Sequence, residues 1–563
     1  MKERVLNIIY ACVCMIVFVA VVYFTNHRLY FGADFTDEAF YSLLPYQFAL
    51  GQKPFIDEIN ILQTSAFIIY PFFKIFAWVN KSTDGIILFN RYLFFIFYFV
   101  ISYIVFRVSK KLIGWQTALL IACSCLAFIP FNIPSLSYNT LGCGFLTLGM
   151  IAGFSGIQHN KDSKYLFYSG ILLALAVISY PTLVISVACY VLIMLLIIRE
   201  HYWRNVLKFA AGGIVVLLPV LFVVLQAGVD NVLRAIEYFQ SYGVHGGAIS
   251  KFITEWDKLI VAIPHKIPLL ISIALYLLSY KRFPIIGVIA LLLFPVLLID
   301  SNTFASITAS MSLLINYSLV AVVLLLTNLK NDAVARIFWS LWLPSFIAGN
   351  MLMWSSSNGY VASAFGLVPA SLATALMTSI IISTSFGEKH RELTKYAQIV
   401  SPIVIVVFLL IVQRESVYRD EAIDQLDYQV KSGPYSGLYT SIQKIEFMNS
   451  LKSDIKSVSD SKQTVLFYEH FPAGYLFTKS KPAVNTVWIS SLNAYPQVDR
   501  SIIVDYYKTH PTPDVVFQMK KVVSKKGDDI VLSYYNSDAL NNWIEIEYTN
   551  ILSNEYYSIF KMK

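Results

Sequence analysis

Residues 34–41 place three carboxylates, Asp34, Asp37 and Glu38, and the phenol of Tyr41 shortly after the hydrophobic segment 8–24. A carboxylate is expensive to hold at a membrane surface, so one that stands beside an apolar segment marks a candidate functional site. Such a group can take a proton as a general base or help to bind a divalent cation. The stretch therefore predicts a membrane enzyme whose chemistry lies in the first loop, residues 26–85.

The composition places the chain among membrane proteins. It is 57% hydrophobic, 15% aromatic and only 14% charged, unlike an average soluble protein. Apolar runs of about 17 to 25 residues recur along it, long enough to cross a bilayer. No small-residue cleavage site follows residues 8–24, so we expect a retained helix rather than a signal peptide. The six cysteines show no disulfide or metal spacing, and the net charge of +8 reflects loop topology rather than nucleic-acid binding.

Lysine and arginine cluster in alternate loops, which sets the orientation of the chain. Such basic loops stay in the cytoplasm, and about thirteen spans satisfy every cluster while leaving the C-terminus outside. The predicted fold class is a mainly α polytopic membrane protein with surface helices in its first outer loop and a small C-terminal α/β domain. The predicted spans are residues 7–25, 86–106, 112–129, 140–157, 166–180, 182–198, 208–226, 262–280, 284–300, 307–327, 336–353, 362–385 and 397–413.

The apolar stretch 59–79 is itself long enough to be counted as a span. A crossing there would invert every later basic loop, so we expect this stretch to lie along the outer membrane surface. Its polar ends, with Asn60 and Gln63 on one side and Lys74 on the other, suit an interfacial helix. Within the loop, helical segments are predicted at residues 37–50 and 61–78.

The polar stretch 414–563 has the composition of a globular domain. Alternating β-rich runs begin at Thr464, Asp514 and Tyr556, and a helical pattern covers residues 440–457. We therefore divide the chain into a membrane domain, residues 1–413, and an α/β domain outside the membrane, residues 414–563. The second domain would cap the site or guide a substrate to it.

Short motifs follow one another along the chain: Asp37-Glu38 with Tyr41, then Gly51, Pro54 and Asp57, and further on residues 137–140, 354–359 and 432–440. These motifs resemble the GT-C class of lipid-sugar-dependent glycosyltransferases, whose familiar members include protein O-mannosyltransferases and the lipid A aminoarabinose transferase. One departure from the class is that the surface helix begins with Asn60 and Gln63 where Lys-Pro-Pro or His-Pro-Pro is usual.

The resemblance implies an inverting hexosyltransferase that takes a sugar from a polyprenyl phosphate on the periplasmic side of the bacterial inner membrane. The acceptor hydroxyl must lose its proton as it attacks the anomeric carbon, and Asp37 is the predicted general base. A single displacement needs one base and inverts the anomeric configuration. Asp34 is the rival for this role and Glu38 is a further catalytic candidate. In the structural alternative, Thr36 or Asp37 simply caps the helix that follows.

No cofactor is assigned, and a divalent cation held by Asp37 and Asp57 is left open. The lipid phosphate needs cationic partners. Most cations of the outer loops are expected to be ordinary interfacial residues, and some polar side chains to satisfy only a broken helix. The substrate-binding candidates are Asp57, Glu58, Asn60, Gln63, Tyr138, Asn139, Tyr180, Arg234, Lys258, His265 and Asn358.

The expected partners are the lipid bilayer, a polyprenyl-phosphate-linked sugar and an envelope glycan such as lipopolysaccharide O-antigen. Lipid A or a protein is the alternative acceptor, no nucleic acid is expected, and the oligomeric state is left open. A transporter or flippase of lipid-linked sugars would show repeat symmetry and charges near the membrane midplane. A polysaccharide polymerase would carry a large late outer loop, and a receptor-like scaffold would leave most of the helices without a role. The identity of the sugar does not follow from the sequence.

Overall fold

The computed structural model describes residues 2–158, 164–197, 202–241, 248–279, 282–299, 304–386, 391–460, 462–489, 500–525, 529–532 and 538–563. The predicted ends of three spans, residues 198, 280 and 300, lie outside these ranges. Within them the chain is mainly helical, with a small sheet near the C-terminus, so the predicted fold class is confirmed.

A helix covers most of every predicted span. Of the described helices, nine are long and apolar enough to cross a membrane, or ten if the bent pair Ile249–Val261 and Lys266–Ser279 counts as one span. The chain is therefore a multi-pass membrane protein, and the number of thirteen spans stays a prediction. The helices that overlap predicted spans are α1 (Lys2–Arg28), α4 (Ile86–Ile113), α5 (Trp115–Ala127), α6 (Tyr138–Gln158), α7 (Lys164–Ser179), α8 (Leu183–Ile197), α9 (Tyr202–Ala227), α12 (Lys266–Ser279), α13 (Pro284–Leu297), α14 (Ala309–Thr327), α15 and α16 (Asp332–Ile337 and Leu343–Ser355), α17 (Ser363–Phe386) and α18 (Arg391–Glu415).

Residues 26–85, the predicted first outer loop, contain both predicted helices. Helix α2 (Asp37–Ala49) begins at the predicted residue, and a 3₁₀ turn at Ile61–Ser65 runs directly into α3 (Ala66–Asn80). By length and composition the joined helix is one of the nine candidate spans, whereas the surface position that the loop charges favour stays a prediction. The ring of Phe73 in α3 is fully buried and lies 5.5 Å from that of Phe89 in α4, so α3 packs against the helical bundle.

Helix α6 forms the centre of the bundle, since 94% of its apolar window is buried. Small residues allow its neighbours to approach closely: a Cβ atom on Gly149 would lie only 2.7 Å from the Leu173 side chain of α7. Because α6 begins at Tyr138, this packing also fixes the position of that aromatic residue.

The described strands are β1 (Tyr428–Gln429), β2 (Tyr439–Thr440), β3 (Thr464–Tyr468), β4 (Lys481–Pro482), β5 (Val515–Met519), β6 (Lys521–Val522), β7 (Ile530–Val531), β8 (Tyr548–Ser553) and β9 (Tyr557–Met562). Five of them form one sheet with the strand order β4-β3-β5-β9-β8. β3 pairs in parallel with β4 and β5. β9 pairs in antiparallel orientation with both β5 and β8. β5 is buried along its whole length, as is usual for an inner strand. All four elements predicted here are confirmed to within two residues at their starts. The helix among them is α19 (Ile442–Val458).

The C-terminal region closes over the first outer loop through backbone hydrogen bonds. Gly32 N–H donates to the carbonyl of Tyr439 at 2.8 Å, and Ile59 N–H donates to that of Asn485 at 2.8 Å. Gly32 has a φ of +86°, and a Cβ atom there would lie 2.4 Å from the Val417 side chain, so glycine is required for this approach. The two predicted domains therefore meet at the acidic stretch.

Candidate active site

Asp34 holds the start of α2 in place. Its Oδ2 accepts a hydrogen bond from the backbone N–H of Glu38 at 2.7 Å, and its Oδ1 accepts from the hydroxyl of Thr36 at 2.7 Å. Burial raises the pKa of this carboxyl, while the charge of Arg419 acts in the opposite direction. Thr36 makes no capping hydrogen bond. The side chain of Asp34 therefore caps α2. The structural alternative considered from the sequence, a cap by Thr36 or Asp37, is wrong.

Glu38 is fully occupied by a buried ion pair. Arg91 of α4 donates from Nε to Oε1 at 2.7 Å and from Nη2 to Oε2 at 2.6 Å, and Ser135 donates to Oε1 as well. Both side chains of the pair are only 2% exposed. The remaining donors of Arg91 bind the backbone carbonyls of residues 29, 31 and 32, so this pair fixes the chain that leads into the acidic stretch. We assign Glu38 a structural role.

Asp37 differs from its two neighbours in the use of its oxygens. Its Oδ2 accepts from the hydroxyl of Tyr418 at 2.6 Å and lies 3.4 Å from Arg419 Nη1 and 3.2 Å from Oγ1 of Thr36, whose proton is donated to Asp34. Its Oδ1 has no hydrogen-bond partner among the described residues, and 21% of the side chain is exposed. One oxygen is thus fixed by donors while the other is available to a substrate, which is the geometry that a general base needs.

Arg419 joins the two aspartates from the far end of the chain. Its Nη1 lies 3.4 Å from Asp37 and 3.8 Å from Asp34, and it also contacts the hydroxyl of Thr36. Burial acts to lower the pKa of this guanidinium, but Tyr418 and the two carboxylates outweigh burial and raise it. Arg419 has a φ of +51°, an uncommon conformation for a residue with a side chain, which the surrounding contacts maintain.

Lys444 of α19 secures the backbone on both sides of this cluster. Its fully buried ammonium group donates to the carbonyls of Ala33 and Arg419, each at 2.5 Å, and lies 3.2 Å from the carboxylate of Asp420. The same carboxylate accepts from the N–H of Ala33 at 2.9 Å. The Lys444–Asp420 ion pair therefore ties Arg419 to Ala33, the residue before Asp34.

His470 lies behind Arg419, directly beyond the end of β3. Its Nε2 is 3.5 Å from Arg419 Nη1, and the residue is only 8% exposed. Burial and the charge of Arg419 lower the pKa of His470 to about 4, so the imidazole is neutral at physiological pH. Because a guanidinium only donates, Nε2 accepts and the ring proton resides on Nδ1.

A row of tyrosines leads from Asp37 towards the membrane helices. Tyr41, one turn after Asp37 on α2, packs on Tyr138 with ring centroids 5.7 Å apart, and Tyr138 packs on Tyr180 at 5.5 Å. The side chain of Tyr180 lies near that of Ser356. Asn139 is buried at the first turn of α6 beside this row. The structure thus brings the predicted residues Tyr138, Asn139 and Tyr180 to the same region as the predicted base.

Four predicted residues of the loop hold its own fold rather than the site. Glu58 accepts from Val487 N–H at 3.0 Å and from Asn60 N–H at 2.9 Å, and burial raises its pKa to about 7 although these donors oppose the shift. Gln63 donates to the Glu58 carbonyl at 2.7 Å. Asp57 is half-buried and accepts from Lys53 N–H at 2.6 Å.

The other four predicted residues are exposed and, within the described residues, none contacts Asp37 or its partners. Arg234 lies on α10 (Val229–Ser241), and His265 follows α11 (Ala248–Val261). Lys258 pairs with Glu255 at 2.6 Å within α11 and is 54% exposed. Asn358 lies on the turn after α16. Their role as substrate ligands stays a prediction.

The described residues contain no group of three or more His, Cys, Asp or Glu side chains that could hold a metal ion. Between Asp34 and Asp37, the position that a cation would occupy is taken by the guanidinium of Arg419. Asp57 instead accepts a hydrogen bond from the backbone N–H of Lys53, so the structure gives no support to a joint site with Asp37.

The sequence analysis missed Tyr418, Arg419, Lys444 and His470. Two signals could have found part of this set. Tyr418 and Arg419 follow the end of α18 by three or four residues, at the same predicted membrane face as the acidic stretch. His470 stands just after the carboxyl end of a parallel strand, where ligand sites of α/β sheets lie.

No protein-family model and no curated protein matches the chain. Among solved structures, the chain is similar to an oligosaccharyltransferase of Archaeoglobus fulgidus, with 11% identity, a TM-score of 0.48, and coverage of 89% of this chain and 68% of that one. The same organism's AglB in complex with an inhibitory peptide and a dolichol-phosphate has 10% identity, a TM-score of 0.45 and coverage of 90% and 69%. ArnT from Cupriavidus metallidurans bound to undecaprenyl phosphate has 12% identity, a TM-score of 0.40 and coverage of 98% and 97%.

AglB and ArnT both belong to the GT-C class that the sequence motifs resemble. With TM-scores below 0.5 and identities of 10 to 12%, these similarities do not establish the function of this chain. The function is therefore argued from the residues around Asp37.

Proposed function

We propose that this chain is an inverting glycosyltransferase, with Asp37 as its general base. It takes a hexosyl group from a polyprenyl-phosphate carrier and adds it to a hydroxyl of a cell-envelope glycan, such as an O-antigen. The observation that carries the proposal is the unequal use of the oxygens of Asp37, one held by Tyr418 and Arg419 and the other without a partner in the described structure. Asp34 and Glu38 have both oxygens engaged and are 3% and 2% exposed, so neither suits the role.

In the proposed reaction, Asp37 Oδ1 accepts the proton of the acceptor hydroxyl while the acceptor oxygen forms a bond to the anomeric carbon. The bond from that carbon to the carrier phosphate breaks, and its electron pair leaves with the phosphate. Tyr418 and Arg419 hold the other oxygen, so the carboxylate is oriented before the substrate arrives. The leaving phosphate is already an anion and needs a cation rather than a general acid.

Lys251 is the cation that we assign to the carrier phosphate. It lies on α11, is half-buried, and donates from Nζ to the carbonyl of Ser356 at 3.1 Å. Ser356 is a neighbour of Tyr180, at the end of the tyrosine row that starts beside Asp37. The row would therefore line the space between base and phosphate, with Tyr138 near its middle.

The periplasmic face of the bacterial inner membrane is the proposed location. This part of the proposal is supported by the charge pattern of the loops and by the resemblance to envelope members of the GT-C class. A flippase or transporter would move the lipid-linked sugar without cleaving its bond to phosphate, and a polymerase would transfer a whole repeat unit rather than one sugar. Analysis of the product separates all three.

The test is transfer of a radiolabelled sugar from polyprenyl phosphate to envelope glycan in membranes, at equal expression of each variant. Asp37→Asn should reduce transfer by about 10² to 10⁴-fold, because a positioned base contributes a factor of this order. Asp505→Asn is the matched control: Asp505 is 58% exposed in a surface pair with Lys508, and its loss should leave transfer unchanged.

Asp34→Asn helps to separate the two aspartates. It should weaken folding through loss of the cap on α2, so its transfer per folded molecule should stay well above that of Asp37→Asn. Full transfer in Asp37→Asn, with a folded protein by size-exclusion chromatography, would remove Asp37 as the base. Loss of transfer in Asp34→Asn alone would move the base to Asp34.

A further inference from the structure

Two aromatic residues of the C-terminal region form a wall beside the proposed base. The rings of His470 and Trp488 are 4.9 Å apart, and the ring of Trp488 lies 5.1 Å from that of Phe40. Phe40 is on the same helix as Asp37, three residues further on. The wall also contacts the surroundings of the base through His470. This residue contacts Arg419, which lies 3.4 Å from Asp37.

Both residues carry a hydrogen-bond donor that the described structure does not use. The Nδ1 of His470 is buried without a partner among the described residues, and it carries the ring proton because Nε2 faces the guanidinium of Arg419. The indole N–H of Trp488 likewise makes no hydrogen bond to a described residue, and its side chain is only partly buried. A buried donor left unpaired costs about 1–3 kcal/mol, so a ligand that accepts a hydrogen bond from it would recover free energy of this order.

The combination of groups specifies the chemistry of that partner. Two N–H donors, one carboxylate acceptor and apolar ring faces stand together around Asp37. A sugar ring matches this set, because its hydroxyls both donate and accept while its C–H faces pack on aromatic rings. A peptide acceptor would instead require paired backbone donors and acceptors. We propose that His470 and Trp488 form a subsite that binds a saccharide acceptor beside Asp37, an inference that rests on the proposed function.

The protein holds this wall rigidly before any ligand arrives. His470 N–H donates to the carbonyl of Ile489 at 2.7 Å, which ties the two aromatic residues' backbones together. Val487 N–H donates to buried Glu58 at 3.0 Å, and Tyr238 of α10 donates to the carbonyl of Trp488 at 3.4 Å. A site supported in this way loses little conformational freedom on binding, which favours affinity.

The experiment measures binding rather than transfer. Full-length protein in lipid nanodiscs is titrated with neutral tetrasaccharides (maltotetraose, mannotetraose and a galactose tetramer) and with a serine- and threonine-rich decapeptide, using saturation-transfer NMR and thermophoresis. The wild type should bind at least one tetrasaccharide and not the decapeptide. Trp488→Ala should weaken that binding about tenfold or more, the equivalent of losing one aromatic contact and one hydrogen bond.

Milder variants guard against misfolding. Trp488→Phe keeps the wall and loses only the indole N–H, and His470→Gln keeps a donor, so each should weaken binding less than the alanine variant of the same residue. Trp543→Phe is the matched control, since Trp543 stacks on Tyr507 elsewhere in the same region at 4.7 Å. In the transfer assay, His470→Ala should raise the KM for the acceptor much more than it lowers kcat.

Asp37→Asn distinguishes this proposal from the proposed function. It should abolish transfer but keep saccharide binding within about fivefold of the wild type, because only one hydrogen bond is altered. If Asp37→Asn transfers sugar normally while Trp488→Ala loses binding, the base assignment fails and the subsite stands. Equal binding by wild type, Trp488→Ala and His470→Ala would overturn the subsite, and so would binding of the decapeptide but of no tetrasaccharide.

Discussion

Arg91 should be among the most sensitive positions in the chain, although it touches no substrate in the proposed reaction. Its guanidinium makes two hydrogen bonds to Glu38 and three to backbone carbonyls, and both side chains of the pair are 2% exposed. Arg91→Met keeps most of the volume but leaves the carboxylate of Glu38 buried with only Ser135 as a partner. Breaking a buried pair in this way costs about 3–5 kcal/mol.

A double-mutant cycle separates the ion pair from the carbonyl contacts. In Glu38→Leu with Arg91→Met both charges are gone, and the replacement of a buried pair by apolar residues is often close to neutral. The three carbonyls would still lack their donor, so a residual loss of about 1–3 kcal/mol is expected. The double variant should therefore be more stable than Arg91→Met alone, with a coupling energy of about 2 kcal/mol.

The assay is unfolding in mixed micelles, followed by far-ultraviolet circular dichroism, with Arg414→Met as the control. Arg414 is 63% exposed and lies 3.5 Å from Glu415, so its loss should cost at most about 1 kcal/mol. Stability of Arg91→Met within about 0.5 kcal/mol of the wild type would refute the reasoning. So would a double variant that is less stable than either single one.

Three further changes test other parts of the site. Lys444→Met should destabilise the protein by about 3–5 kcal/mol in the same unfolding assay, because Asp420 would stay buried without its cation. Burial raises the pKa of Glu58 from 4.5 to about 7, so the folded state binds this proton more tightly than the unfolded state does. The resulting stability is complete below about pH 4.5 and is lost as the pH rises through about 7, and Glu58→Gln should abolish this fall in thermal melts. Arg419→Lys should reduce transfer about tenfold with little loss of stability, because lysine keeps the charge but not the position of Nη1, the atom that lies 3.4 Å from Asp37 and 3.8 Å from Asp34.

The sequence could predict the local elements because hydrophobic runs and turn residues encode them directly. Every predicted span has its helix, and α2 and β3 start at the predicted residues. The acidic stretch could be singled out because a carboxylate beside an apolar segment is costly. The choice among Asp34, Asp37 and Glu38 could not be made on that ground, since the three differ only in their partners.

Those partners lie far away in the chain, which is why the rest of the site escaped prediction. Tyr418 contacts Asp37 across 381 residues, and Arg91 contacts Glu38 across 53. Periodicity reports which face of a helix is apolar but not which distant residue packs against it. The exposed candidates Arg234 and Lys258 were chosen by their charge and position in a loop, and charge alone does not separate an interfacial residue from a ligand.

The contacts around Asp37 also decide what the C-terminal region contributes. A boundary at residue 413 separates an apolar segment from a polar one, yet Tyr418, Arg419 and Lys444 all bind residues 33–37 across it. The proposed base is oriented by the polar segment, and the wall of His470 and Trp488 stands on the same segment. If the C-terminal region were only a separate cap, its removal would leave the contacts of Asp37 unchanged. Here its removal would take away Tyr418 and Arg419, two of the neighbours of Asp37 Oδ2. The proposed catalytic unit is therefore the first outer loop together with the C-terminal region, held against the membrane helices by Arg91.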